Sequence, residues 1–366
     1  MLMLAAALST LNPTLEMDTI VRDTIAQYKI PGCAVSVVCE DEILLCKGYG
    51  VKQLSNMEPI DIHTRFPIAS LSKLFTSTAI GLLIDHQKLT LDTPIVQFYP
   101  QLKLSEAYAT SHLTFRDCLS MRSGLPGPSV DHLLYADPDA TRTQLLENLL
   151  PTLPFPLGFR SHFAYQNLLY LLAVAPFKSY ESFLRKHLLN PLEMTETLLT
   201  FSDLQDCTNK IQPHIWKEDH FVPIPLENLD ALLPAAGISS SAQDMKHFLY
   251  FLLHDGTYHA KAILSPSTLT QILTPQTTVT IEEFTGDAAS QDILFPTAQF
   301  ITYGLGCFVH DYRGIKMIQV PGLTDGTNSV LALIPSLRLG LFITCNAESA
   351  HFTRALLFKL IDTFIN

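Results

Sequence analysis

The sequence predicts an α/β fold of the α+β type: an antiparallel sheet, flanked by N- and C-terminal helices, with an inserted all-helical domain. Three observations predict it. The chain has 366 residues, a length that suggests two domains. Strand patterns occur in residues 33–50 and 301–345, toward the two ends of the chain. Residues 70–256 between them have helical periodicity broken by proline-rich loops, so the end segments can pair in one sheet while the middle forms a separate unit.

The N-terminal segment is predicted to form a helix and a β-hairpin. Asn12-Pro13 is a cap followed by a proline in the first turn, and apolar side chains then recur at helical spacing. Residues 33–39 and 43–50 predict two strands that turn at Glu40-Asp41.

The middle and the C-terminal part of the chain differ in pattern. Helices are predicted over residues 72–86, 114–121, 142–150, 167–175 and 179–189, and over a segment that Ser241 with Asp244 begins and Gly256 ends. Strands are predicted over residues 301–310, 315–320, 329–334 and 339–345, before a closing amphipathic helix. We therefore expect a sheet domain from residues 1–68 and 242–366, a helical domain over residues 69–241, and an active site in the cleft between them.

Composition excludes several classes of function. Hydrophobic residues make up 47% of the chain and charged residues 16%, which is enough apolar surface for a large core and excludes a disordered chain. The net charge of −11 and the lack of a Lys/Arg run argue against nucleic acid as a partner. The apolar stretches fall short of the roughly 18 residues that a membrane span needs, so no integral membrane segment is expected.

Cysteines, histidines and the first residues indicate no cofactor and no clear compartment. Seven cysteines without a C-x-x-C pair favour free, mostly buried thiols, and no H-E-x-x-H occurs among thirteen histidines, so no metal is expected. Residues 1–8 are apolar but have no basic lead, so the export signal is too weak to predict a signal peptide, and we favour a ragged start to the first helix. The expected partner is a small-molecule or peptide substrate, and the oligomeric state stays open.

Ser70 and Lys73 are the first candidates for chemistry. They are three residues apart at the start of an apolar helix and therefore share one face. Amide N–H groups at a helix N-terminus point toward an oxyanion that forms there. A lysine packed against apolar side chains loses solvation, which favours its neutral form and lets it accept the proton of the serine. The alternative is an ordinary capped helix with a solvated lysine.

Two later segments also contain residue types that suit acyl transfer. Tyr165 beside a cationic lysine can be held as a phenolate and act as general base and acid, and Asn167 can hydrogen-bond the lysine or a substrate amide. In residues 320–329 (VPGLTDGTNS), Gly322 lets a substrate backbone approach, and the Leu323 amide can donate to an oxyanion. Taken singly, these segments are also typical of a loop at a helix start and of a hairpin turn.

In this order the segments resemble the serine β-lactamase and penicillin-binding-protein superfamily, above all its class C-like branch with DD-peptidases and related esterases. The resemblance extends over about residues 15–350. It includes four further segments: residues 81–100 (GLLIDHQKLTLDTPIVQFYP), 114–124 (TFRDCLSMRSG), 190–197 (NPLEMTET) and 235–248 (AAGISSSAQDMKHF). The implied fold is β-lactamase/transpeptidase-like.

The resemblance also implies a function and a set of roles. The chain would be a serine hydrolase that forms an acyl-enzyme with an ester, amide or β-lactam-like substrate. Ser70 would be the nucleophile, Lys73 its proton partner, Tyr165 the general base of a Y-x-N motif and Asn167 the asparagine of that motif. The amides of Ser70 and Leu323 would form the oxyanion hole.

Val320 departs from the family pattern. The family usually has Lys or His two residues before the glycine that Gly322 matches, where it orients a carboxylate of the substrate. Losing a hydrogen bond to a charged group costs roughly 1.5–3 kcal/mol, so recognition of a penicillin carboxylate should weaken while acylation survives. Arg160 and Lys316 are the alternative sources of that charge.

The resemblance leaves three activities open. We favour a hydrolase that turns over an ester or peptide-like substrate. The alternatives are a penicillin-binding receptor or transferase that deacylates slowly, and a catalytically silent scaffold of the same fold.

Overall fold

The computed structural model describes residues 13–127, 140–156, 158–285 and 298–365. The predictions for Asn12 and for residues 1–8 lie outside the described residues.

An eight-stranded antiparallel sheet forms the centre of the fold. In spatial order its strands are β2 (Glu42–Gly50), β1 (Gly32–Cys39), β14 (Leu339–Cys345), β13 (Thr327–Ile334), β12 (Ile315–Thr324), β11 (Phe308–Tyr312), β10 (Ile301–Tyr303) and β9 (Thr277–Thr278). β1 pairs with β14, placing Cys33 opposite Cys345, so the two ends of the chain join in one sheet as predicted.

Among the described residues, three short strand pairs lie outside this sheet. They join β3 (Phe66–Pro67) to β6 (Ser239–Ser240), β4 (His214–Lys217) to β5 (His220–Pro223), and β7 (Thr257–Tyr258) to β8 (Lys261–Ala262). The hairpin of β4 and β5 falls within residues 69–241, so this stretch is not purely helical. Glu218 and Asp219 form its turn with φ of 49° and 66°, as a two-residue turn with positive φ at both positions requires.

Twelve described helices surround the sheet. They are α1 (Pro13–Tyr28), α2 (Ser72–Asp85), α3 (Ala107–His112), α4 (Phe115–Leu119), α5 (Arg142–Gln144), α6 (Leu168–Ala173), α7 (Tyr180–Leu184), α8 (Phe201–Asp206), α9 (Ala242–Leu253), α10 (Pro266–Ile272), α11 (Ile281–Thr285) and α12 (Ala350–Ile365). Wider turns, Leu145–Leu149 and Arg185–Leu189, continue α5 and α7. Ser241 caps α9 by accepting a hydrogen bond from the Asp244 amide, as the sequence predicts.

The two faces of the sheet belong to two apolar cores. Along β14, Leu341 and Ile343 face the core that contains the terminal helices α1 and α12, whereas Phe342 faces the core of the helical middle. This alternation is the two-residue period of a strand buried on both faces. Val320 on β12 lies in the core of the helical middle, on the side of the sheet that carries α2. The division into two domains at residues 69 and 241 stays a prediction.

Residues 301–310 do not form one strand, so that prediction is wrong. Gly306 has a φ of +86°, and the Gly304 amide donates to Cys307 O (2.8 Å), which makes a tight turn between β10 and β11. A Cβ at Gly306 would lie 3.0 Å from Lys73 O. Glycine is therefore needed where this turn packs against α2.

Candidate active site

Ser70 lies in a single 3₁₀ turn, Ala69–Leu71, that leads directly into α2. The preceding Ala69 has a φ of 49°, in the left-handed region that costs an L-residue about 1 kcal/mol. Neighbouring bonds hold it there: Ser72 Oγ donates to Ala69 O (2.7 Å), and the Ile238 amide donates to Ser72 Oγ (3.1 Å). The half-buried Ser70 side chain is thus presented by a turn that two separate segments constrain.

Two proton-bearing groups reach the oxygen of Ser70. Lys73 Nζ donates to Ser70 Oγ at 3.0 Å, and Tyr165 Oη donates to the same atom at 2.8 Å. The lysine comes from the same helical turn, whereas the tyrosine is 95 residues away in sequence. The structure therefore brings together three of the residues that the sequence singles out.

Lys73 lies among groups that attract a cation. Its side chain is 1% exposed, and Nζ also donates to Ala235 O at 2.9 Å. Nζ lies 4.6 Å from the ring centroid of Tyr165 and 5.6 Å from that of Tyr170, and ring faces attract cations. A cation held here stabilises a phenolate at Tyr165, which suits Tyr165 as the group that takes a proton from Ser70.

The loop before Tyr165 is fixed by the segment after α4. The Ala164 amide donates to Met121 O (2.8 Å), and the Arg160 amide donates to Arg122 O (3.1 Å). Asp117, whose side chain is fully buried, accepts from Arg122 Nε at 2.8 Å and from Arg160 Nη2 at 2.7 Å. This carboxylate ties the Tyr165 loop to α4, and the sequence pattern did not reveal it.

Arg160 and Lys316, the alternative sources of positive charge, lie in different surroundings. Arg160 binds Asp117 with Nε and Nη2, and its Nη2 also donates to His112 O (2.8 Å). Lys316 lines a pocket of about 610 Å³ together with Arg338. A role for either cation toward a substrate carboxylate stays a prediction.

β12 passes directly beside the Ser70 turn. Gly322 is buried, and a Cβ there would lie 2.5 Å from Ile68 O. Ser329, which pairs with Gly322 from the neighbouring strand β13, donates its Oγ–H to the same Ile68 oxygen at 2.8 Å. The glycine thus permits close packing of protein against protein, in addition to any role toward substrate. The next residue, Leu323, is 56% exposed at this edge of the strand.

Val320 and Asn167 complete the predicted set. Val320 is 3% exposed and lies two residues before Gly322, so both face the same side of the sheet. Asn167 is half-buried immediately before α6, two residues after Tyr165. Their roles toward substrate stay predictions.

Two contacts of Lys73 were missed from sequence. Tyr170 donates its hydroxyl to Leu119 O at 2.8 Å, is fully buried, and has its pKa raised well above the ordinary value because burial penalises the phenolate. Its position five residues after Tyr165 is the only signal that could have identified it. Ala235 contributes a backbone carbonyl, for which no side-chain pattern exists.

The described residues contain no group of three His, Cys, Asp or Glu side chains that could hold a metal ion. All seven cysteines are free thiols, and four of them are buried. No described helix is both long and apolar enough to cross a membrane.

An eight-stranded sheet with a helical middle, and a serine in contact with a lysine and a tyrosine at their junction, define a β-lactamase-type serine hydrolase fold. The chain belongs to the beta-lactamase family, whose model matches residues 17–362. This finding confirms the family and the fold class that the sequence predicts.

Solved structures and a relative agree with that assignment. The octameric penicillin-binding protein homologue from Pyrococcus abyssi superposes with a TM-score of 0.79 at 20% identity, over 95% of this chain and 77% of that chain. A class C beta-lactamase superposes with a TM-score of 0.74 at 21% identity, over 94% of each chain. An unguisins hydrolase of Aspergillus campestris (strain IBT 28561) is 27% identical over 94% of this chain. The chain spans 64% of the length of that relative.

Proposed function

We propose that the chain is a serine hydrolase that forms an acyl-enzyme on Ser70 with an ester, amide or β-lactam-like substrate. The observation that carries the proposal is the pair of hydrogen bonds to Ser70 Oγ, from Lys73 Nζ at 3.0 Å and Tyr165 Oη at 2.8 Å. A serine oxygen this close to a lysine amine and to a tyrosine oxygen can pass its proton to the tyrosine oxygen, once that oxygen is ionised, as it attacks a carbonyl carbon.

Acylation and deacylation use the same groups. Tyr165, as a phenolate stabilised by Lys73, takes the Ser70 proton while the Oγ–C bond forms. The carbonyl oxygen becomes an oxyanion, which the amides of Ser70 and Leu323 stabilise. When this intermediate collapses, the alcohol or amine leaves with the proton from Tyr165. Water then attacks the acyl-enzyme, giving its proton to Tyr165, and the acid leaves as Ser70 recovers a proton.

The substrate class follows from Val320. A buried valine supplies neither charge nor hydrogen-bond donor, so a free carboxylate next to the scissile bond gains nothing there. Neutral esters or amides are therefore preferred over penicillins. The name of the Aspergillus relative, an unguisins hydrolase, supports hydrolysis as the type of reaction.

Intact-mass labelling tests the proposal. The purified chain is incubated with a fluorophosphonate and, separately, with a penicillin, and the adducts are followed over time. We expect a fluorophosphonate adduct that Ser70→Ala loses and that Ser55→Ala, a change at an exposed serine, retains. Labelling of Ser70→Ala at the original rate would refute the assignment.

The fate of the penicillin adduct separates the alternatives. Rapid loss of an adduct indicates a hydrolase, whereas a lasting adduct indicates a receptor or transferase. A folded chain that forms no adduct with either reagent is a silent scaffold.

A further inference from the structure

A pocket of about 580 Å³ is lined by two segments that continue along the chain to groups of the proposed site. One wall is the segment 224–232, which continues to Ala235, the residue whose carbonyl accepts from Lys73. Another wall includes Asp325, two residues after Leu323. Because a strand advances about 3.3 Å per residue, Asp325 lies within about 7 Å of the proposed oxyanion donor along the chain.

The position of Tyr165 decides which part of a substrate this pocket faces. In the proposed mechanism Tyr165 protonates the leaving group, so the leaving group lies on the side of its loop. No described residue of that loop, residues 158–167, lines the pocket. A lining that excludes this loop and includes the residue two positions after Leu323 is what the acyl side of the scissile bond requires.

The walls of the pocket are mostly apolar. Nine of the thirteen described lining residues are apolar, among them Ile215, Ile224, Leu226, Leu229 and Leu232. Such a surface gains about 25 cal/mol for each Å² of apolar substrate surface that it removes from water. It suits an aliphatic or aromatic acyl body.

The charged groups of the pocket all have the same sign. They are Glu227, Asp325 and Glu348, and none of the described lining residues is Lys, Arg or His. Burial and the charge of Asp325 raise the pKa of Glu227 to about 7, and the same two causes raise the pKa of Glu348. Glu227 Oε2 is also buried without a hydrogen-bond partner among the described residues. Asp325 therefore repels both glutamates, and no cation among the described lining residues offsets that repulsion.

We propose that this pocket binds the acyl group of the substrate and selects an apolar acyl group that carries an ammonium, while it disfavours one that carries a carboxylate. An ammonium relieves the repulsion between the three carboxylates and can donate to Glu227 Oε2, whereas a fourth carboxylate adds to the repulsion. The inference rests on the proposed function, because it assumes acyl transfer at Ser70.

Three p-nitrophenyl esters with six-carbon acyl groups test the inference. They are the 6-aminohexanoate, the hexanoate and the monoester of hexanedioic acid, which differ only in the charge at the far end. We expect kcat/KM for the ammonium ester to exceed that for the carboxylate ester by about 10-fold, the effect of a few partly exposed ion pairs. The neutral ester should fall between them.

Charge-neutral variants connect that ratio to the pocket. Combining Glu227→Gln, Asp325→Asn and Glu348→Gln should bring the ratio of ammonium ester to carboxylate ester close to one. Glu282→Gln, which removes an exposed carboxylate on α11, should leave the ratio at the wild-type value. If the combined variant does not fold, the exposed Asp325→Asn change alone should lower the ratio about 2- to 3-fold.

The outcomes separate the two proposals. Ser70-dependent hydrolysis with the same ratio in wild type and in the pocket variants would overturn the pocket inference and leave the hydrolase intact. Hydrolysis that persists in Ser70→Ala, or no hydrolysis of any of the three esters, would overturn both.

Discussion

Replacing Gly322 with alanine should both destabilise the fold and slow the reaction of Ser70. The new Cβ would lie 2.4 Å from Ser329 Oγ, which can rotate away, but also 2.5 Å from Ile68 O and 3.1 Å from Leu71 Cδ1, which flank Ser70. Non-bonded heavy atoms need about 3.5 Å, so β12 and this turn must separate by about 1 Å.

The size of both effects follows from that displacement. Overpacking a filled core costs about 1–3 kcal/mol, and weakening the hydrogen bond from Ser329 Oγ to Ile68 O costs about 1 kcal/mol more. The free energy of unfolding should therefore fall by about 2–4 kcal/mol. A misplacement of about 1 Å between reacting groups slows a reaction about 100-fold, so fluorophosphonate labelling should slow by about that factor.

Urea unfolding and the rate of fluorophosphonate labelling measure these two effects. Gly127→Ala is the matched control, because a Cβ at Gly127 would have nothing within 4 Å. Equal stability of the two variants, with labelling of Gly322→Ala at the wild-type rate, would refute the packing argument. If only bulky substrates were slowed, the glycine would serve to admit substrate, as the sequence alone suggests.

Three further predictions concern other parts of the site. Lys73→Ala, Tyr165→Phe and the double variant should lose similar large factors in acylation rate, because the two groups act as one unit; losses that multiply would contradict this. Val320→His should raise the ratio of kcat/KM for a carboxylate-bearing cephalosporin to kcat/KM for a neutral ester, by at most about 10- to 150-fold. An unchanged ratio would count against the role of Val320. Asp117→Asn breaks a buried ion pair and should lower the free energy of unfolding by about 3 kcal/mol, whereas Asp92→Asn, which removes a 68% exposed partner of Arg116, should lower it by under about 1 kcal/mol. Equal losses in urea unfolding would show that burial is not the cause.

Local spacing was enough to predict the main architecture and the candidate site. Strand patterns at both ends of the chain imply a sheet that closes between β1 and β14, and the structure pairs them. Ser70 and Lys73 are one helical turn apart, so their contact is a property of the helix itself. The hairpin turn given as the alternative for residues 320–329 is present between β12 and β13, where Gly326 has a φ of 72°.

Other features arise only when distant segments pack together. Lys73 obtains its second hydrogen bond from a carbonyl 162 residues away, and the pocket takes its three carboxylates from three separate segments. The turn that interrupts residues 301–310 is explained by its contact with α2, and the constraint on Gly322 by the Ile68 oxygen. Periodicity along a chain reports which face of an element is buried, but not which backbone atom or charge will lie opposite it. Those partners are set by the packing of the sheet against the helical middle, which brings the Ala235 carbonyl to Lys73 and the three carboxylates to one pocket.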